Sequence, residues 1–161
     1  RFGAYSRAGE FIYDRPFQWG SRRIGPDLHR IGQRNPSVLW HITHLRQPTE
    51  TSEGSIMPGF PWLLEERIDF GAVQDAVDAM SALGVPYEEV KQDAAQAARE
   101  QARAIVERLL NEDEDYPAAD LEDKKIIALV AYLLRLGTDI TGAEPEDDGL
   151  LIGAAPTGGA R

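Results

Sequence analysis

The sequence predicts a mainly α-helical domain with an irregular N-terminal half rich in Gly, Pro and aromatic residues. Three observations lead there. Residues 65–136 carry apolar side chains at helical spacing, no stretch alternates with the period of a strand, and residues 1–64 hold turn signals where periodicity is missing. The 161 residues suit one domain with extensions, and 42% apolar against 27% charged residues is the balance of a globular chain.

In the first region lie all three Trp and four of the five Phe. Turns are marked at Gly25-Pro26, Asn35-Pro36, Met57-Pro58-Gly59 and Phe60-Pro61. Long helices are excluded there, so an aromatic core or a ligand is expected to order the segment. One short helix is expected over Ser37–Leu45, with Pro36 in its first turn.

The second region, 65–111, opens with Phe70, Val73, Val77 and Met80 on one helical face, ended by Gly84 and Pro86. A further helix is expected from about Tyr87 to Asn111, Ala-rich and with a first half too polar to bury much. An acidic linker follows at 112–120. The closing helix, 121–136, is expected to be capped by Asp120, with Glu122 and Asp123 near the positive end of its dipole. Ile126, Leu129, Val130, Leu133 and Leu134 form its apolar stripe, and Gly137 suits its C-terminal turn. Residues 139–161, with acidic Glu144–Asp148, are expected to form a flexible tail.

Charge and composition exclude several functions. A net charge of −10 argues against a nucleic-acid binder, which must neutralise phosphates, and permits a basic protein partner. With no cysteine there is no disulfide, no thiolate metal site and no C-x-x-C-H in these residues. No apolar run reaches the ~18 residues of a membrane span. The chain starts at Arg1 without Met and is expected to be a piece of a longer protein. Catalytic motifs are missing, and no catalytic site is expected.

Four positions stand out for binding. Met57, in Ser55-Ile56-Met57-Pro58-Gly59-Phe60, offers a soft thioether on a loop stiffened by Pro58 and Pro61, as an axial haem ligand requires. A methionine filling a gap in the core is the competing reading. The Gly25-Pro26 turn exposes a carbonyl that could accept from the ring N–H of an iron-ligating histidine. Arg34 could pair with a carboxylate. Trp40 stands beside His41, and His41 and His44 share a helix face; with His29 they would suit zinc, against the plainer reading of one surface and one buried histidine.

In order, Gly25-Pro26-x-Leu28, Gly32-x-Arg34, Trp40, Leu45-x-x-Pro48 and Met57-Pro58-x-Phe60, then the 129–136 helix, resemble a class I cytochrome c after its haem-attachment motif. The opening Arg1-Phe2-Gly3-Ala4-Tyr5-Ser6 and the stretch from Tyr13 to Leu28 narrow the resemblance. So do Trp40-His41-x-x-His44-Leu45, Pro61-Trp62-Leu63 and Ala82–Tyr87. Together they resemble the monohaem, FixO-type subunit of cbb3-type cytochrome c oxidases, densely over 1–64 and more loosely over 70–88 and 121–138.

That resemblance implies a class I cytochrome c-like helical domain over 1–138. It implies haem c as cofactor, with Met57 as axial ligand. Pro26 would support the histidine ligand, Arg34 and Trp40 would meet the propionates, and Leu129, Tyr132 and Leu133 would line the haem side. It implies electron transfer from a c-type cytochrome toward the oxygen-reducing subunit. Expected partners are the catalytic oxidase subunit, a further c-type cytochrome subunit and an electron-donor cytochrome. The protein would be anchored in the bacterial inner membrane, its soluble domain facing the periplasm. The membrane helix, the C-x-x-C-H and its histidine are expected upstream of Arg1. The stretch 88–120 is longer and more acidic than the family pattern and is expected to lie over the domain. The rival expectation is a haem-free interaction module that keeps the fold.

Overall fold

The computed structural model describes residues 7–13, 15–19, 24–87 and 91–138. The expected tail at 139–161, the opening motif at 1–6 and Gly20–Arg23 lie outside the described residues. The architecture is helical, as expected, with no strand among the described residues. The described residues form six α-helices: α1 (Ile31–Arg34), α2 (Val38–Arg46), α3 (Pro48–Thr51), α4 (Phe70–Ala82), α5 (Ala94–Glu112) and α6 (Lys125–Arg135). Single 3₁₀ turns lie at Ala8–Phe11, Pro61–Leu64 and Leu121–Asp123. The described residues divide into two compact units, one of those up to Pro36 and of 132–138, the other of Ser37–Ala131.

In the first unit the expected aromatic core is small. Phe11, 5% exposed, meets Phe17 edge-on at 6.5 Å and the His29 ring at 4.9 Å. Gly32 packs directly on the backbone of Leu134, and its N–H donates to the Leu136 carbonyl at 3.1 Å. Gly137 takes φ +94° against the Cα of Arg30, which confirms it as the turn glycine after α6.

The second unit is built around α2, α4 and α5. Val38, His41, Ile42 and Leu45 make the buried face of α2 at helical spacing. Its cap is Ser37, whose hydroxyl accepts from the Trp40 N–H at 3.0 Å. Pro36 therefore precedes the cap instead of occupying the first turn. Asp69 caps α4 through the N–H groups of Gly71 and Ala72.

Helix α5 departs most from expectation. It begins at Ala94, not near Tyr87, because the Asp93 side chain accepts from the Gln96 N–H at 3.1 Å and sets the cap there. Its Ala-rich first half is not merely solvated: Ala94 and Ala102 are buried, followed by Ile105, Val106 and Leu109. The small alanines let α5 lie close on α4. Gln74 of α4 accepts from the Ala94 N–H at 2.8 Å, and Arg99 sits 4.1 Å above the Phe70 ring.

The last residue of α5, Glu112, caps a different helix. Its carboxylate accepts from the Ser37 hydroxyl at 2.6 Å and from the N–H groups of Val38 and Leu39 at 2.9 and 3.0 Å. Partial burial pushes the carboxyl up, but these donors more than offset it, and the net displacement is downward. The clasp is thus formed above the ordinary carboxylate value and is lost as pH falls through the lowered one. Glu112→Ala is expected to cost about 1–2 kcal/mol at neutral pH, read from urea unfolding, since three donors lose their acceptor.

Asp120 does not cap the closing helix. It sits in the left-handed region at φ 59° with no capping hydrogen bond, and Glu122 and Asp123 belong to the 3₁₀ turn before α6. The apolar stripe of α6 is as expected: Ile126, Val130, Leu133 and Leu134 are buried, joined by Ile127 and Ala131.

Candidate functional site

Of the sequence-predicted residues, Pro26 and Arg34 lie in the first unit and Trp40 and Met57 in the second. Gly25, at φ +82°, and exposed Pro26 turn the chain into Asp27. The Asp27 carboxylate accepts from the His29 N–H at 2.9 Å and locks the turn. Arg34, half-buried on α1, donates from its guanidinium to the Asp27 carbonyl. Arg34 and the Pro26 turn are therefore one assembly: the arginine braces the carbonyl of the residue that follows the proline.

In the second unit, Trp40 is flanked by both of its histidine neighbours. His44 stacks on the indole at 4.5 Å and 10°, and His41 meets it edge-on at 5.2 Å. The Nδ1 of His44 bonds the Thr51 hydroxyl, and burial lowers the pKa of the ring, which favours the neutral imidazole. His41 is 3% exposed and His29 belongs to the other unit. Among the described residues no group of three or more His, Asp or Glu side chains could hold a metal ion. The histidines serve the packing of Trp40.

Met57 is half-buried on an extended loop between α3 and the 3₁₀ turn at Pro61–Leu64. The loop is anchored at each end. Ser55 donates its N–H to Ser52 and accepts from the Met57 N–H at 3.3 Å, while the Phe60 N–H donates to the Leu45 carbonyl at 2.7 Å. Pro58 and Pro61 fix two φ angles between and beyond these points. Residues 55–64 carry no charge, and Phe60 and Trp62 stand ring-to-ring at 5.2 Å.

Where the α6 residues fall is informative. Leu133 is buried, Leu129 is half-buried and Tyr132 is 61% exposed. In the first unit Leu28 is 46% exposed. Leu133 packs within the protein, whereas Tyr132 and Leu28 present apolar surface outward. A soft neutral donor in an uncharged loop is chemistry that fits a haem iron.

Sequence reading passed over Arg30. It is 1% exposed and pairs with Glu10 at 2.7 Å, twenty residues away. No local signal marks a buried arginine at the position just before α1.

The chain matches over residues 1–140 the family described as cytochrome c oxidase, mono-heme subunit/FixO. It belongs to the FixO family. No individual curated protein matches it. As a FixO-family chain it is a mono-haem subunit of a cytochrome c oxidase, an electron-transfer component of a membrane-associated complex that contains a catalytic subunit. Haem c is the cofactor of the family's protein, and these 161 residues hold no cysteine to attach it. Among the described residues of this FixO-family chain no helix is long and apolar enough to cross a membrane.

Proposed function

We propose that Met57 provides the axial thioether to the haem iron, and that the subunit passes single electrons from a c-type cytochrome toward the oxygen-reducing subunit. The observation that carries this reading is the Met57 loop: an uncharged segment with a thioether at its centre, pinned to the end of α2 by the Phe60–Leu45 hydrogen bond. When bound, haem would supply one-electron chemistry, and a thioether ligand from Met57 would favour the ferrous state and raise the potential. The protein's part is to hold that sulfur in place and to limit water around it.

Pro26 would offer its carbonyl to the ring N–H of the histidine that would also ligate the iron. Arg34 stiffens that turn through Asp27 and, with the Trp40 indole N–H, is assigned to the propionates. The soluble domain would face the periplasm from the bacterial inner membrane, between a further c-type cytochrome subunit and the catalytic subunit.

The test is the absorption spectrum of the full-length protein produced with c-type haem maturation. The wild type is expected to show a c-type spectrum with an iron–thioether band in the oxidised state. Met57→Ala is expected to lose that band and to fall in midpoint potential by on the order of 0.2 V, within the ~0.8 V range that axial ligation spans. A band unchanged in Met57→Ala would assign the ligand elsewhere. A colourless full-length protein would instead make the chain a haem-free interaction module.

A further inference from the structure

We propose that the outer face of α4, anchored by Met80 and Leu83, is where this subunit binds a neighbouring oxidase subunit whose contact surface is apolar and ringed by lysine or arginine. The proposal rests on the chain being part of a multi-subunit oxidase and does not depend on the role of Met57.

Helix α4 is packed on one side only. Phe70 and Val77 are buried toward α5. Periodicity places Met80 with them, yet Met80 is 41% exposed and Leu83 80% exposed. Along the same outer face Ala72, Ala76 and Ala79 are also exposed. Ala72, Ala76, Met80 and Leu83 follow one another at three or four residues, with Ala79 beside Met80, so they form one continuous apolar strip.

Leu83 is not at a frayed end. Its N–H reaches the carbonyls of Ala79 and Met80, the Gly84 N–H that of Ser81, and the Val85 N–H returns to Met80 at 3.1 Å, with Gly84 at φ +89°. This closed turn holds a large apolar side chain in water. Burial of a leucine is favourable in proportion to the area removed from water, so an ordered helix end that presents one outward is suited to a contact.

Charge selects the occupant. Helix α4 contains no lysine or arginine, while Asp69, Asp75 and Asp78 are exposed on it and the whole chain carries −10. A second copy would bring Asp75 and Asp78 against their own counterparts. An anionic bilayer surface would be repelled likewise. A protein surface with an apolar centre and a cationic rim satisfies both features.

The test uses the assembled oxidase, with the affinity tag on the catalytic subunit. Met80→Asp/Leu83→Asp is expected to reduce the amount of this subunit retained about tenfold, with haem content and thermal midpoint as in the wild type. Asp75→Lys is expected to weaken retention as well, and wild-type retention to fall with rising salt. Full retention of the double variant would overturn the proposal. So would a dimer of the isolated full-length subunit that the double variant dissociates, or binding of the wild type, and not the variant, to neutral phosphatidylcholine vesicles. Loss of haem from the wild type would bear on the proposed ligand and leave this comparison intact.

Discussion

Gly32→Ala is expected to cost about 3 kcal/mol of folding free energy, because the new methyl group would occupy the space of a backbone carbonyl. A Cβ built on Gly32 overlaps the carbonyl of Leu134, and the carbonyl carbon lies 2.6 Å away. A flexible side chain could swing aside at small cost. Here the obstacle is the last turn of α6, and the Gly32 N–H is itself bonded to Leu136 at 3.1 Å. Relief requires the glycine to withdraw and break that bond, or the helix end to move away from Leu133 and Leu134, both buried. Urea unfolding of Gly32→Ala beside Gly9→Ala measures the difference. Nothing lies within 4 Å of a Cβ at Gly9, so that variant should stay within about 0.5 kcal/mol of wild type. Equal midpoints for the two would show that the approach of α1 to α6 is looser than described.

How much of this was legible in the sequence depends on the distance over which each feature is decided. The α6 stripe and the α4 periodicity are local, and buried Ile126, Val130, Leu133, Leu134, Phe70 and Val77 follow them. Met80 departs because a helix packed on one side buries only part of its apolar arc. The first half of α5 buries only Ala94 and Ala102, in keeping with its polarity, and their small size is what admits α4 closely. Asp120 reads as a cap by residue type, but its backbone is left-handed and its side chain makes no capping hydrogen bond. Glu112 reads as linker, and its partners Ser37, Val38 and Leu39 lie more than seventy residues back. No window-based reading connects them. For the site, Met57 and the Gly25-Pro26 turn stand out only in an ordered series with Trp40 and Phe60. Their local context alone fits ordinary turns and core fillers equally well.

The second large effect is expected at Arg30, the deepest charge among the described residues. Its guanidinium donates to Glu10 at 2.7 Å, while Nε and Nη1 are buried without a hydrogen-bond partner. Its stem lies against the Gly137 backbone, so truncation removes packing as well as charge. Arg30→Ala is expected to cost about 3 kcal/mol, combining a cavity with a broken pair. Arg30→Met should cost clearly less, since it refills the space and removes two buried nitrogens whose N–H groups receive nothing in return for losing water. Glu10→Gln tests the other partner, leaving a buried cation with a neutral acceptor, and should be worse than Arg30→Met. The hydrogen bond from Arg30 holds the Glu10 carboxyl below its ordinary 4.5, with burial opposing. A depressed carboxyl stabilises the fold above its unfolded value and loses that contribution as pH falls through the folded one. Wild type should therefore lose stability on acidification below about 4.5, and Arg30→Met should lose less over the same interval. If Arg30→Met proves as damaging as Arg30→Ala, the charge itself is needed, and the two unfilled donors must find an acceptor in the assembled oxidase.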